Sequence, residues 1–179
     1  MLEHLEDLKK QLTELLDIAG VIEPSVATCT NYFCLLPGIV ELQPLSQGTR
    51  QTDVPYDARV KIVFSWRLEG GNENLNLTKK ALCRAIHVAE FFHADNDITT
   101  HCSSPFMVDD ELELSEHGRV IEAKKQSGDF ARIGDDNKLF LYREDWELWL
   151  CVRVLRHHTS STLQQVTYER GNSADMVVK

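Results

Sequence analysis

The longest regular pattern of apolar and polar positions in the chain lies between residues 57 and 69. Every second position is apolar, and the positions between are mostly polar or charged. The apolar set is Ala58, Val60, Ile62, Phe64, Trp66 and Leu68, and the polar set includes Arg59, Lys61, Ser65 and Arg67. A period of two predicts a β-strand with one face in a core and the other in water.

Two other segments show the spacing of three and four residues that is typical of amphipathic helices. Leucines between residues 2 and 16 form one stripe of a first helix, which we expect to end near Gly20. A second helix is predicted from Leu77 to His93, with Asn76 or Thr78 as its N-cap. Its predicted buried stripe consists of Ala81, Leu82, Ala85, Ile86, Val88, Ala89 and Phe92.

Shorter apolar runs predict further strands. One runs from Tyr32 to Leu42 with a bend or bulge at Pro37-Gly38, because proline cannot donate to a ladder, and a polar connection follows at 43–56. Short strands are predicted at 119–123, 130–133 and 138–142. Turns are predicted between them at 127–129 and 134–137.

The last predicted strand, from Trp146 to Arg156, carries apolar residues on both faces. Trp149, Cys151 and Leu155 lie on the face opposite to Trp146, Leu148, Leu150, Val152 and Val154. Such a strand is either covered on both sides or presents one face to another subunit. Trp149, Cys151 and Leu155 are therefore predicted to form a subunit interface.

Strands and helices in this order describe an α+β protein. We expect one domain at 1–156, within which 94–118 is an acidic insertion or loop. Residues 157–179, rich in Ser, Thr and Gln, are predicted to form a flexible C-terminal arm.

The charge of the chain limits its partners. The formal net charge is -9, which argues against specific nucleic-acid binding because phosphates require a basic surface. No Lys or Arg occurs between Asp95 and His117, where seven acidic residues lie. Asp109, Asp110, Glu111 and Glu113 could hold Mg²⁺ in principle, but consecutive acids point in different directions, so a solvated loop is favoured.

No motif in the chain indicates catalysis or a cofactor. Nucleophile-elbow, phosphate-loop, dinucleotide-binding and zinc-protease motifs are missing. The five cysteines contain no CxxC pair, which favours reduced thiols. Cys83, His87, His101 and Cys102 form a metal-ligand set on paper, but a packed cysteine and a solvated histidine are favoured. We expect no enzyme, no cofactor, no metal and, without a long apolar run, a cytoplasmic protein without membrane contact.

The order of these elements resembles the tail-terminator proteins of contractile-tailed, Mu-like bacteriophages and prophages. The likeness covers roughly residues 2 to 156. Its best local matches are Leu36-Pro37-Gly38-Ile39-Val40-Glu41-Leu42 after the first helix and the closing strand Trp146-Glu147-Leu148-Trp149-Leu150-Cys151-Val152. The acidic insertion and the polar tail depart from the family pattern.

The resemblance implies a mixed, mostly antiparallel sheet with two main helices packed on one face. It also implies a virion assembly protein that caps the tail tube as a ring, typically a hexamer, ends tail polymerisation and offers a surface for head joining. Its partners would be further copies of itself, tail tube and sheath proteins, and head completion proteins. It would act in the host cytoplasm during assembly and then in the virion tail.

In that setting Asp109, Asp110, Glu111 and Glu113 would line the channel or contact a partner. Two other classes of function stay open. One is a cytoplasmic adaptor or chaperone-like module that uses an exposed apolar strand. The other, less favoured, is a metal-dependent enzyme that uses the Cys83/His87 or the Asp109/Glu113 groups.

Overall fold

A computed structural model of the protein describes residues 1–22, 31–45, 53–70, 74–93, 98–103, 106–109, 112–133 and 139–157. The elements are α1 (Leu2–Leu16), β1 (Ala19–Ile22), β2 (Tyr32–Pro44), β3 (Asp53–Gly70), α2 (Asn74–His93), β4 (Thr99–His101), β5 (Phe106–Asp109), β6 (Leu112–Ile133) and β7 (Leu139–His157). The strands form one sheet in the order β1-β2-β3-β7-β6-β4, and β5 also pairs with β6. Only β1 and β2 are parallel; the other pairs are antiparallel.

Both helices pack on the same face of this sheet. The alternating residues of β3 are buried as predicted, and they join one core cluster with the even-numbered residues of β7 and with Leu5, Leu8, Leu12 and Leu16 of α1. From α2, the ring of Phe92 lies 5.8 Å from Phe64 and 5.3 Å from Trp146, centroid to centroid. The predicted class, an α+β fold with two helices on one face of a mostly antiparallel sheet, is confirmed.

The strands are longer than the sequence pattern predicts. Residues 112–133 form one strand, β6, that pairs with β7 from Leu112↔Arg156 to Ile133↔Leu139. The short strands predicted at 119–123 and 130–133 are therefore parts of β6, and the turn predicted at 127–129 is wrong. The register shifts between Lys125 and Ser127, so a bulge interrupts the alternation that sequence reading depends on. The turn predicted at 134–137 lies outside the described residues.

The segment 94–118 is predicted to be an acidic insertion or loop, and a continuous loop is wrong, because strands occupy most of its described residues. Residues 99–101 and 106–109 are the short strands β4 and β5, both antiparallel to β6, which itself begins at Leu112. Strands of three and four residues at a sheet edge are too short to show a period of two, and polar residues are usual there. In this segment, residues 94–97, 104–105 and 110–111 lie outside the described residues.

Several boundaries and one helix face also differ from prediction. Helix α1 ends at Leu16, because Asp17 adopts a left-handed conformation (φ 51°) and its N–H donates to Thr13 O at 2.9 Å. Asn76 and Thr78 lie inside α2 instead of capping it. On α2, Leu82 and Ile86 are 60% and 48% exposed. The buried stripe is narrower than predicted, because the contacts of α2 with β3, β7 and α1 leave the side with Leu82 and Ile86 exposed.

The connection between β2 and β3 is shorter than the predicted 43–56, since β2 continues to Pro44 and β3 begins at Asp53. The irregularity predicted at Pro37-Gly38 is confirmed by a register shift between Pro37 and Val40. The predicted arm is described only at His157, which is the last residue of β7; residues 158–179 lie outside the described residues.

Gly20 provides a test of how closely β1 packs on the core. It pairs with Phe33 of β2, and a Cβ at position 20 would overlap the buried Phe33 ring. We expect Gly20→Ala to reduce the free energy of unfolding by about 1–3 kcal/mol, because the ring must leave its place. Urea denaturation measures the change.

Gly38 is the matched control for Gly20. A Cβ there would meet only Lys61 O at 3.6 Å, an ordinary contact. Gly38→Ala should be neutral or slightly stabilising, since alanine restricts the unfolded chain more than glycine does. Equal stabilities of the two variants would contradict the proposed packing of Gly20 beneath Phe33.

Candidate interaction surfaces

In the described part of the chain, one outer edge of the sheet has no partner strand along much of β2, and we call such a stretch a bare edge. Strand β1 pairs only with Tyr32–Leu35, and in the part of the chain that the structure describes no strand lies beyond residues 36–44. Apolar side chains on and just after this stretch are exposed: Ile39, Val40, Leu42 and Leu45. An edge with free backbone groups and exposed apolar residues is able to pair with a strand from another chain.

Among the described strands, none pairs with the outer side of the second half of β6, which is the second bare edge. Strands β4 and β5 pair with β6 only as far as Arg119, and the Val120 N–H donates to Ile98 O at 3.0 Å. Beyond that point, residues 121–133 have β7 on one side and no described strand on the other. Ile121 and Phe130 are exposed on this stretch.

These two bare edges have the polarity that a sheet extended from chain to chain requires. They lie on opposite sides of the sheet order, and three antiparallel pairings separate them, so β6 runs antiparallel to β2. A second copy in the same orientation would therefore place its β2 antiparallel to β6 of the first. To pair the centres of the two stretches, the second copy must be displaced along the strand direction by about seven residues, or roughly 20–25 Å.

The predicted interface residues Trp149, Cys151 and Leu155 lie on the helix-free face of the sheet, where they are half-buried. Charged residues surround them. Lys61 pairs with Glu147 at 2.7 Å, and Arg153 pairs with Asp57 at 3.4 Å. The face is thus less apolar than the β7 pattern alone indicates, and its role as an interface stays a prediction.

Burial accounts for the state of two thiols on this side of the sheet. It raises the pKa of both the Cys34 and the Cys151 thiol. Both are therefore protonated and weakly nucleophilic at neutral pH.

The predicted acidic channel residues are placed only in part. Asp109 ends β5, and Glu113 is a half-buried residue of β6 that pairs with Leu155 of β7. Asp110 and Glu111 lie outside the described residues. Glu113 and Leu155 are therefore neighbours on adjacent strands. The sequence predicts the first for the channel or a partner contact and the second for the subunit interface.

The metal set considered from the sequence is divided between two places. Cys83 Sγ lies 3.8 Å from His87 Nε2 on the exposed side of α2. His101 and Cys102 belong to β4 and the residue after it, beside β6 and α1. Among the described residues, no group of three or more His, Cys, Asp or Glu side chains is arranged to hold a metal ion.

A buried carboxylate that sequence reading did not single out lies on β7. Glu144 is fully buried, and its Oε1 accepts a hydrogen bond from Trp146 Nε1 at 2.5 Å. Its Oε2 accepts from the Tyr142 hydroxyl at 2.5 Å and from Lys125 Nζ at 2.7 Å. Burial, followed by the hydrogen bond and charge of Glu144, raises the pKa of Tyr142. In the sequence, the signal for this cluster is a Glu two residues after Tyr142 and two residues before Trp146, so that the three side chains lie on the same face of the strand.

A buried histidine joins α1 to the β4–β6 edge. His4 Nδ1 lies 3.0 Å from Thr100 Oγ1, and His4 Nε2 lies 3.0 Å from Ser115 O and 3.7 Å from Cys102 Sγ. Burial lowers the pKa of His4, against the raising effect of its backbone partners. It is therefore a neutral structural residue at pH 7, and no feature of the leucine-rich helix predicted its partners.

Comparison with known proteins gives no family. No protein-family model matches the chain, and no curated protein sequence matches it significantly. Within the described residues, neither helix has the length and apolar character needed to cross a membrane.

The Glu144 cluster yields a stability prediction. In Glu144→Gln the amide NH₂ must face a donor, either Trp146 Nε1 or the Tyr142 and Lys125 pair. We expect a loss of about 1–3 kcal/mol in the free energy of unfolding. Glu122→Gln, at an exposed position of β6, should change it by less than about 0.5 kcal/mol. Similar effects of the two substitutions in urea denaturation would show that the cluster is not needed.

The buried His4 yields a prediction on pH. Its pKa in the folded protein is lower than the ordinary 6.5, so the unfolded chain binds more protons as the solution is acidified. The His4 contribution to stability is complete above 6.5 and is lost as pH falls from there through the folded pKa. His4→Gln should therefore flatten the pH dependence of the unfolding free energy between about pH 7.5 and 5. An unchanged slope in urea titrations would contradict this role.

Proposed function

We propose that the protein is a structural virion assembly protein of the tail-terminator type. In this role it forms a ring on the end of a phage tail tube, ends tube polymerisation and presents a surface for head joining. The single observation that carries the proposal is the pair of bare sheet edges, residues 36–44 and 121–133, on opposite sides of one sheet.

Edges of this kind support a head-to-tail contact between copies. The two surfaces differ from each other, so a contact between them is heterologous, and heterologous contacts give a ring when the rotation closes. The stagger that the pairing requires is consistent with closure, because strands in a closed sheet tilt relative to its axis. The resemblance to tail terminators supplies the number, a hexamer.

Charge supports the same role. Each copy carries a formal net charge of -9, so a ring repels DNA that crosses it. Repulsion favours passage over retention, which suits a protein between a DNA-filled head and a tail tube. The proposed partners are further copies of the chain, tail tube and sheath proteins, and head completion proteins, first in the host cytoplasm and then in the virion tail.

The edge of β2 provides the test. Ile39 and Leu42 are 63% and 62% exposed, so lysine at both positions leaves the core intact while charging the edge. We expect Ile39→Lys/Leu42→Lys to weaken self-association by at least about tenfold, as measured by sedimentation velocity. Electron microscopy with tube protein should show caps on tube ends for the natural chain and none for the variant.

The matched control is Leu82→Lys/Ile86→Lys, which changes two comparably exposed apolar residues on α2. It should assemble as the natural chain does. Assembly of the β2 variant at normal strength, or a natural chain that remains monomeric at every concentration and on tubes, would overturn the proposal. Recovery of one stoichiometric host protein from uninfected extract, together with no binding to tubes, would establish the adaptor alternative instead.

A further inference from the structure

Two exposed histidines face each other across neighbouring strands at the β4–β6 edge. His101 and His117 are register partners, and their Nδ1 atoms are 2.9 Å apart. The rings are nearly perpendicular, at 89°, with centroids 4.9 Å apart. Two imidazole nitrogens at this distance need a cation or a shared hydrogen between them, since two lone pairs repel each other.

The outer nitrogens of both rings have their own oxygen partners. His117 Nε2 lies 3.3 Å from Glu116 Oε1, and His101 Nε2 lies 3.4 Å from Thr99 Oγ1. A carboxylate oxygen accepts, so this contact suits the His117 tautomer with its hydrogen on Nε2 and its lone pair on Nδ1. A partner of this kind on the outer nitrogen is typical of histidines that bind metals.

We propose that His101 and His117 form a two-histidine site for a divalent transition metal that accepts imidazole nitrogens at right angles, such as Ni²⁺ or Cu²⁺. In the metal-free protein, His101 Nδ1–H donates to His117 Nδ1. On binding, His101 changes tautomer: its hydrogen moves to Nε2 and is donated to Thr99 Oγ1. Both Nδ1 lone pairs then bind the metal, and no net proton is released.

The hydrogen-bonded nitrogens already lie at the spacing that this geometry requires. With metal–nitrogen bonds of about 2.0–2.1 Å, two ligands at 90° are about 2.9 Å apart, whereas tetrahedral ligands are about 3.3–3.4 Å apart. The observed 2.9 Å corresponds to adjacent positions of a square-planar or octahedral ion. Water completes the coordination, in agreement with the finding that no described cluster supplies three protein ligands.

The surroundings fix the position of one of the two histidines. A pocket of about 400 Å³ is lined by His101 and by Glu3, Glu6, Asp7 and Lys10 of α1, and Lys9 of the same helix forms an ion pair with Glu6. Asp7 Oδ2 also accepts the backbone N–H of His101 at 3.1 Å, which holds β4 against α1. The pair is thus built on paired strands instead of a loop, and one of these strands is held by a carboxylate of α1.

Calorimetric titration of the full, untagged chain with Ni²⁺ after chelator treatment tests the proposal. We expect one equivalent to bind, and His101→Asn and His117→Asn each to weaken binding by at least roughly tenfold, since even loss of an outer partner costs about that much. His87→Asn is the matched control: this exposed histidine lies beside Cys83 and should have no effect.

Thermal unfolding supplies a second readout. Ni²⁺ at ten times its dissociation constant should raise the Tm of the natural chain by roughly 3–5 °C, because it binds only the folded state. Both histidine variants should keep the metal-free Tm and lose this rise. Absence of Ni²⁺ binding, binding that survives both substitutions, or binding lost in His87→Asn would overturn the proposal.

Discussion

The ladder between β3 and β7 is the interaction on which the rest of the structure depends. It pairs residues from Asp53↔His157 to Gly70↔Phe140 without a register shift. This unbroken alignment puts Ile62 beside Leu148 and Phe64 beside Trp146 on a single face, and both helices pack there. Slippage by one residue would exchange the buried and charged faces, so burial of the core fixes the register.

The outer strand pairs of the sheet are less regular than the central pair. Strand β6 follows β7 through three register shifts, and β2 follows β3 through one at Pro37–Val40. The bulged strands are those that carry the bare edges. A bulge increases local twist and bends a strand, which turns an edge away from casual pairing and sets the angle of any specific partner. The central ladder is therefore the regular part of the sheet, and the irregularities lie in the outer strands.

Sequence patterning predicted the centre of this molecule better than its periphery. The strict alternation in β3 and the leucine spacing of α1 required no tertiary information, because a single period specified the buried face. Leu82 and Ile86 fit the helical period of α2 equally well, yet they are exposed, since the width of a buried stripe depends on what covers it. Bulges break the alternation in β6, so the sequence predicts several short strands where the structure has one long strand. The His101–His117 pair was not predictable, because their strands are paired through the fold rather than through a sequence motif.

The placement of both helices on one face has a consequence for any assembly that grows by strand addition. Adding strands at an edge preserves the sidedness of a sheet, so each new copy would place α1 and α2 on the same side. The opposite wall of such a cylinder would repeat the cross-strand couples Lys61–Glu147 and Arg153–Asp57 around its circumference. Along that wall, positive and negative groups offset each other over a few ångströms, so the surface would be wet yet hold little net potential from these couples.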